Sequence, residues 1–107
     1  MSDILARIQS LVGRGDVLVS VHGFRELAAD GILLKDVTNG VTMAVVVEEY
    51  PEFFKGPSVL VLQRDRDGNP LHILWGIQKG KDGPASIITA YRPDPVRWSE
   101  DFLRRMP

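Results

Sequence analysis

The chain has 107 residues, 44% of them hydrophobic and 25% charged, with a net charge of −1 and no cysteine. That length supports one hydrophobic core but not two, and the composition excludes wholesale disorder. The missing cysteines exclude disulfides and thiolate metal sites, and a near-neutral balance argues against indiscriminate nucleic-acid binding.

The N-terminus carries neither the basic lead nor the apolar run of an export signal. No segment approaches the roughly 18 apolar residues of a membrane span, so the simplest expectation is a cytoplasmic protein. Ser2 or Asp3 can cap a first helix whose stripe is Ile4, Ile8 and Leu11, ending at Gly13-Arg14-Gly15. Val17-Leu18-Val19 reads as a short extended run. Ser20 then caps a second helix over 21–29, with Phe24, Leu27 and Ala28 expected to face inward and Gly31 to end it. The spacing of Leu34, Val37 and Val41 suits a third helix, after which Ala44 to Val47 becomes a strand with Glu48-Glu49-Tyr50 as its polar exit. Phe53 and Phe54 sit side by side in a loop, where they cover the core edge or meet a partner.

From Ser58 to Arg92 three runs rich in Val, Ile and Leu, SVLVLQR, PLHILWGIQ and ASIITAYR, are separated by turn-rich connections. This predicts an antiparallel meander. In the middle strand Leu71, Ile73, Trp75 and Ile77 alternate with His72, Leu74, Gly76 and Gln78, so one face is buried and the mixed face is the place to look for function. Asp94-Pro95 is expected to open a C-terminal helix with Trp98, Phe102 and Met106 inward and Arg104 and Arg105 at its negative end.

His22 opens the second helix, and Arg25 and Glu26 lie one turn on, close enough to converge; a solvated first turn is the plain alternative. His72 interrupts an apolar strand. Taking 65–70 as the loop, register places Gln63 or Arg64 opposite it on one side and Tyr91 or Arg92 on the other. Histidines, arginines and a tyrosine without metal-ligand spacing suit metal-independent RNA cleavage, in which the RNA's own 2′-hydroxyl attacks the adjacent phosphate. No phosphate-binding glycine loop, nucleophile elbow or calcium loop is present.

The blocks SVHGFRELAADGI, VVVEEYP, SVLVLQRDRDGNPLHILW and ITAYRPDPVRW resemble the domain of unknown function (DUF) 4258 family. That family is grouped with RelE/ParE-like toxins in the barnase, EndoU, colicin and RelE ribonuclease fold. The resemblance implies a single α+β domain over 1–107, with the helix in 1–16 at its periphery. It further implies N-terminal helices packed on a twisted antiparallel sheet of about four strands, and a short C-terminal helix. It also implies a bacterial toxin-like endoribonuclease that needs no metal or cofactor, with His22, His72 and Tyr91 as catalytic residues and Arg25, Arg64 and Arg92 binding substrate. RNA and an antitoxin protein are the expected partners, with no membrane; self-association is compatible with the fold. The alternative is a non-catalytic interaction module using the sheet face or the Phe53-Phe54 loop.

Overall fold

The computed structural model describes residues 2–107. Helix α1 spans Asp3–Gly13 and is capped by Ser2, whose hydroxyl accepts from the Leu5 N–H at 3.1 Å. Its stripe is not peripheral: Ile4, Leu5, Ile8 and Leu11 are all buried in the main core. Strand β1 (Val17–Val19) leads into α2 (Val21–Ala29), where the Ser20 hydroxyl accepts from Gly23 N–H at 2.8 Å and donates to the Ile87 carbonyl. One serine therefore both starts the helix and ties it to the sheet.

Only Gly23 and Leu27 of α2 are buried. A Cβ at Gly23 would press on the Ile87 carbonyl, so glycine allows the helix backbone to approach the strand closely. That docking turns Phe24 and Ala28 outward, contrary to expectation; Phe24 is 67% exposed. Helix α3 is shorter than the spacing suggested, Leu34–Gly40, and continues as a 3₁₀ turn, Val41–Met43. Thr38, Asn39 and Gly40 are weak helix formers, which accounts for the early change.

Strand β2 (Val45–Tyr50) takes in Glu48, Glu49 and Tyr50, which the charge pattern had placed beyond it. The meander follows as β3 (Ser58–Arg64), β4 (Pro70–Ile77) and β5 (Ala85–Tyr91). The sheet has five strands in the order β1-β5-β4-β3-β2. It is mixed rather than antiparallel, because β1 pairs parallel with β5 through Val17 and Ala85, Leu18 and Ser86, and Val19 and Ile87. Three residues carry no register signal of their own, and their partner lies at the far end of the chain.

Leu71, Ile73, Trp75 and Ile77 join α1, Leu27 and Val37 in one core on the helix-covered face. Gln63, buried among them, accepts from Trp75 Nε1 at 2.9 Å and donates to the Val37 carbonyl at 2.8 Å, so its polar head is satisfied.

The C-terminal helix does not form. Asp94 closes a single turn, its carbonyl accepting from Arg97 N–H and Trp98 N–H. Ser99 and Asp101 then capture local donors: the Ser99 hydroxyl donates to Asp101 at 2.6 Å, and Asp101 accepts from Leu103 N–H. Such side-chain bonds compete with helical ones. Phe102 reverses the chain at φ 62°, and Trp98 bridges back to Arg105. Residues 94–107 thus form an irregular strap over the face opposite the helices.

Candidate functional site

His72 and Tyr91 are cross-strand partners on β4 and β5. Strand β4 begins at Pro70, so the residue opposite His72 on β3 is Leu62 rather than Gln63 or Arg64. The imidazole is 0% exposed, with Nε2 2.8 Å from the Phe102 carbonyl and Nδ1 3.1 Å from the Tyr91 hydroxyl. A carbonyl only accepts, so Nε2 carries the hydrogen and Nδ1 is left to accept from Tyr91. Trp98 of the strap closes the ring in at a centroid distance of 4.3 Å, nearly perpendicular. Burial, with the nearby Arg105 charge adding to it, holds the His72 pKa below its ordinary value despite the Phe102 bond, which opposes the shift. His72 therefore meets no solvent, and its direct role in this fold is to hold Tyr91 and the strap.

Tyr91 is only partly buried and opens into a cleft of about 810 Å³, which is also lined by Arg92, Arg97, Trp98 and Arg105. Burial raises the phenol's pKa, so it keeps its proton at neutral pH. Arg97 has no ion-pair partner among the described residues. Arg105 lies 4.8 Å over the Trp98 ring and 3.2 Å from Glu48 Oε1, while Glu48 Oε2 accepts from the Tyr50 hydroxyl at 3.0 Å. Arg92 is fixed by Asp65 at 3.0 Å, by the Asp30 carbonyl at 3.0 Å and by Gly31. It walls the cleft, with most of its donors engaged.

A second groove, of about 390 Å³, runs from Tyr91 and Arg105 over Tyr50, Phe53, Leu74 and Ile88. Thr89 sits on its rim with His22 Nε2 at 3.4 Å, and Glu26 is 3.2 Å from that same nitrogen. His22 and Glu26 thus meet as the helix spacing suggested, whereas Arg25 makes no ion pair among the described residues. Arg64 also lies elsewhere: its side chain is exposed and donates to the Gly68 carbonyl across the β3–β4 turn at 3.3 Å.

Of the six predicted site residues, then, Tyr91 and Arg92 line the cleft, His72 lies directly behind Tyr91, and His22 stands one rung along β5. Arg25 and Arg64 are outside it. Arg97 and Arg105 were missed as site residues. The sequence signal available for them was the Tyr91-Arg92-Pro93-Asp94-Pro95 run, whose two prolines can turn the chain back over the strand it has just left. Among the described residues no cluster of His, Asp or Glu converges as metal ligands would, and no helix is long and apolar enough to cross a membrane.

No curated protein and no solved structure matches the chain. One family profile, described as "Domain of unknown function (DUF4258)", matches residues 19–92. The matched stretch begins at the end of β1 and contains α2, the whole meander, His22, His72, Tyr91 and Arg92. It is well over half of the sequence, and the chain belongs to the DUF4258 family.

Proposed function

We propose that the protein is a toxin-like, metal-independent endoribonuclease of RelE type, acting on RNA in the cleft around Tyr91. The observation that carries this reading is the Tyr91 hydroxyl, held from behind by buried His72 and opening into a cleft that also contains Arg97, Arg105 and Arg92. Guanidinium groups suit the charge that builds on a phosphorane, and Arg97 is the one with no competing carboxylate.

Tyr91, protonated at neutral pH, is the acid: its hydroxyl turns from His72 Nδ1 into the cleft to give its proton to the departing 5′-oxygen, and the Arg105 charge offsets the phenolate left behind. His22 is the base that takes the proton from the attacking 2′-hydroxyl. It reaches Thr89, which is two residues from Tyr91 along β5, a separation of about 7 Å. The nucleophile belongs to the RNA, so the protein supplies only proton transfer, positioning and charge. The apolar groove beside the cleft is where an antitoxin segment would lie.

The test is purified protein incubated with RNA in excess chelator at neutral pH. Wild type is expected to yield fragments ending in 2′,3′-cyclic phosphate and 5′-hydroxyl. Tyr91→Phe and His22→Ala, each checked for an unchanged fold by circular dichroism, should each slow cleavage by about 10²- to 10⁴-fold. No cleavage by wild type, or equal cleavage by all three, overturns the catalytic reading.

A second reading, a non-catalytic interaction module, is favoured by a different observation: Phe53 lines the apolar groove and Phe54 beside it is 72% exposed. It predicts that Phe53→Ser abolishes capture of a partner protein while RNA is left intact by every variant.

A further inference from the structure

The sheet face turned away from the helices carries a hollow that the sequence builds in two steps. Across β4 and β5, Leu74 pairs with Thr89 and Trp75 with Ile87, so Ile88 is an extra, unpaired residue. This bulge brings both Ile88 and Thr89 to the apolar groove. Gly76 makes room for it, since a Cβ there would press on the Ile88 side chain and the Ser58 hydroxyl. The groove, about 390 Å³, is lined by Leu60, Leu74 and Ile88 and by three aromatic residues, Tyr50, Phe53 and Tyr91. Two of these are tethered at their hydroxyls, Tyr50 to Glu48 and Tyr91 to His72, whereas Phe53 is 44% exposed on its loop. The groove runs into the arginine cleft, with which it shares Tyr91 and Arg105.

Resting on the reading of the cleft as an RNA site, we infer that this groove is a nucleobase subsite, and that it takes the base of the nucleotide whose 2′-hydroxyl attacks. An occupant that fills groove and cleft together needs a flat apolar body joined to an anion. A nucleotide is both in one unit, and its base covers the exposed ring of Phe53. The direction of the strand follows from where the proton-transfer groups stand. His22 Nε2 lies 3.4 Å from Thr89 Oγ1 on the groove's rim, and Tyr91 stands where groove meets cleft. The ribose that gives its proton to His22 is therefore on the groove side of the phosphate, and the leaving 5′-oxygen is on the cleft side. Stacking on an aromatic ring suits every base, so the subsite demands that the base be unpaired rather than that it be a particular one. An antitoxin segment lying in the same groove would displace it.

The test is equilibrium binding of the full chain to a short single-stranded RNA with 2′-O-methyl riboses, and to the same strand made abasic throughout, with 2-aminopurine in the first strand reporting stacking. Wild type should bind the base-bearing strand about 5- to 150-fold more tightly than the abasic one and quench the 2-aminopurine. Phe53→Ala should lose that margin and the quenching but keep its affinity for the abasic strand, which shows that it is folded. Equal binding of the two strands by wild type, with Arg97→Ala weakening both, overturns the subsite and leaves the RNA cleft standing; no binding of either strand overturns both. A preference for bases that Phe53→Ala leaves intact also overturns the assignment and leaves the groove to a protein segment. A DNA strand carrying one ribonucleotide fixes the point of cleavage. Removing the base of that ribonucleotide should slow cleavage and removing the base after it should not; the reverse pattern overturns the placement of the attacking nucleotide.

Discussion

Replacing His72 with alanine removes the group that joins the sheet to the C-terminal strap. The ring is fully buried, packed edge-on against Trp98 and Tyr91, and its loss leaves a space comparable to that of a large-to-alanine core change, which costs about 2–5 kcal/mol. The Phe102 carbonyl loses its donor, a further penalty of about 1–3 kcal/mol if it stays buried. Tyr91 adds little, because its hydroxyl can turn to water in the cleft. The strap can relieve part of this by peeling away, so the expected net loss is about 3–4 kcal/mol rather than the full sum. Urea unfolding gives that number, and amide exchange locates it. The Ser99 and Met106 amides, which bond to the Arg104 and Arg97 carbonyls within the strap, should lose protection first. A loss under about 1 kcal/mol, with those two amides still protected, would refute the reasoning.

Three further outcomes follow from the same structure. Burial lowers the His72 pKa from its ordinary 6.5, so the unfolded chain binds a proton first as the pH falls. The contribution of His72 is complete above about pH 6.5 and erodes below it, by at most about 1.4 kcal/mol per pH unit until the folded-state pKa is passed. Subtracting the pH profile of His72→Gln from that of wild type isolates the slope, and parallel profiles would count against a buried neutral imidazole. Gln63→Leu strands both the Trp75 indole N–H and the Val37 carbonyl in the core, and chemical denaturation should show a loss of about 2–4 kcal/mol. At Gly56, φ is +135° and an added Cβ would run into the Ile77 carbonyl, so Gly56→Ala should lower thermal stability more than any alanine substitution on the exposed face of α2.

The parts of the fold legible in the sequence were those set by short-range physics. Alternation through Leu71, Ile73, Trp75 and Ile77 located the buried face, Ser2 and Ser20 announced their helices, and hairpin register limited the partner of His72 to Tyr91 or its neighbour. What stayed hidden depends on contacts between distant segments. The parallel pairing of β1 with β5 joins residues nearly seventy positions apart, and three apolar residues cannot specify such a partner. Phe24 looked inward because helical spacing gives the width of an apolar stripe but not the side that docks; the close approach at Gly23 settled that. The C-terminal strap was misread because Asp-Pro is a sound helix start, and only the competing bonds of Ser99 and Asp101 and the reversal at Phe102 divert the chain. That diversion brings Arg97 and Arg105 to Tyr91, so the same misreading concealed half the cleft.

The most direct test of the RNA-cleft account is a backbone amide shift map of the ¹⁵N-labelled protein titrated with a single-stranded RNA whose 2′-hydroxyls are methylated, so that it binds but cannot be cut. Saturable shifts are expected, centred on Tyr91, Arg92, Arg97 and Arg105 and reaching Thr89 and His22, weakened by Arg97→Ala. No saturable shifts, or shifts confined to the loop carrying Phe53 and Phe54, would contradict it.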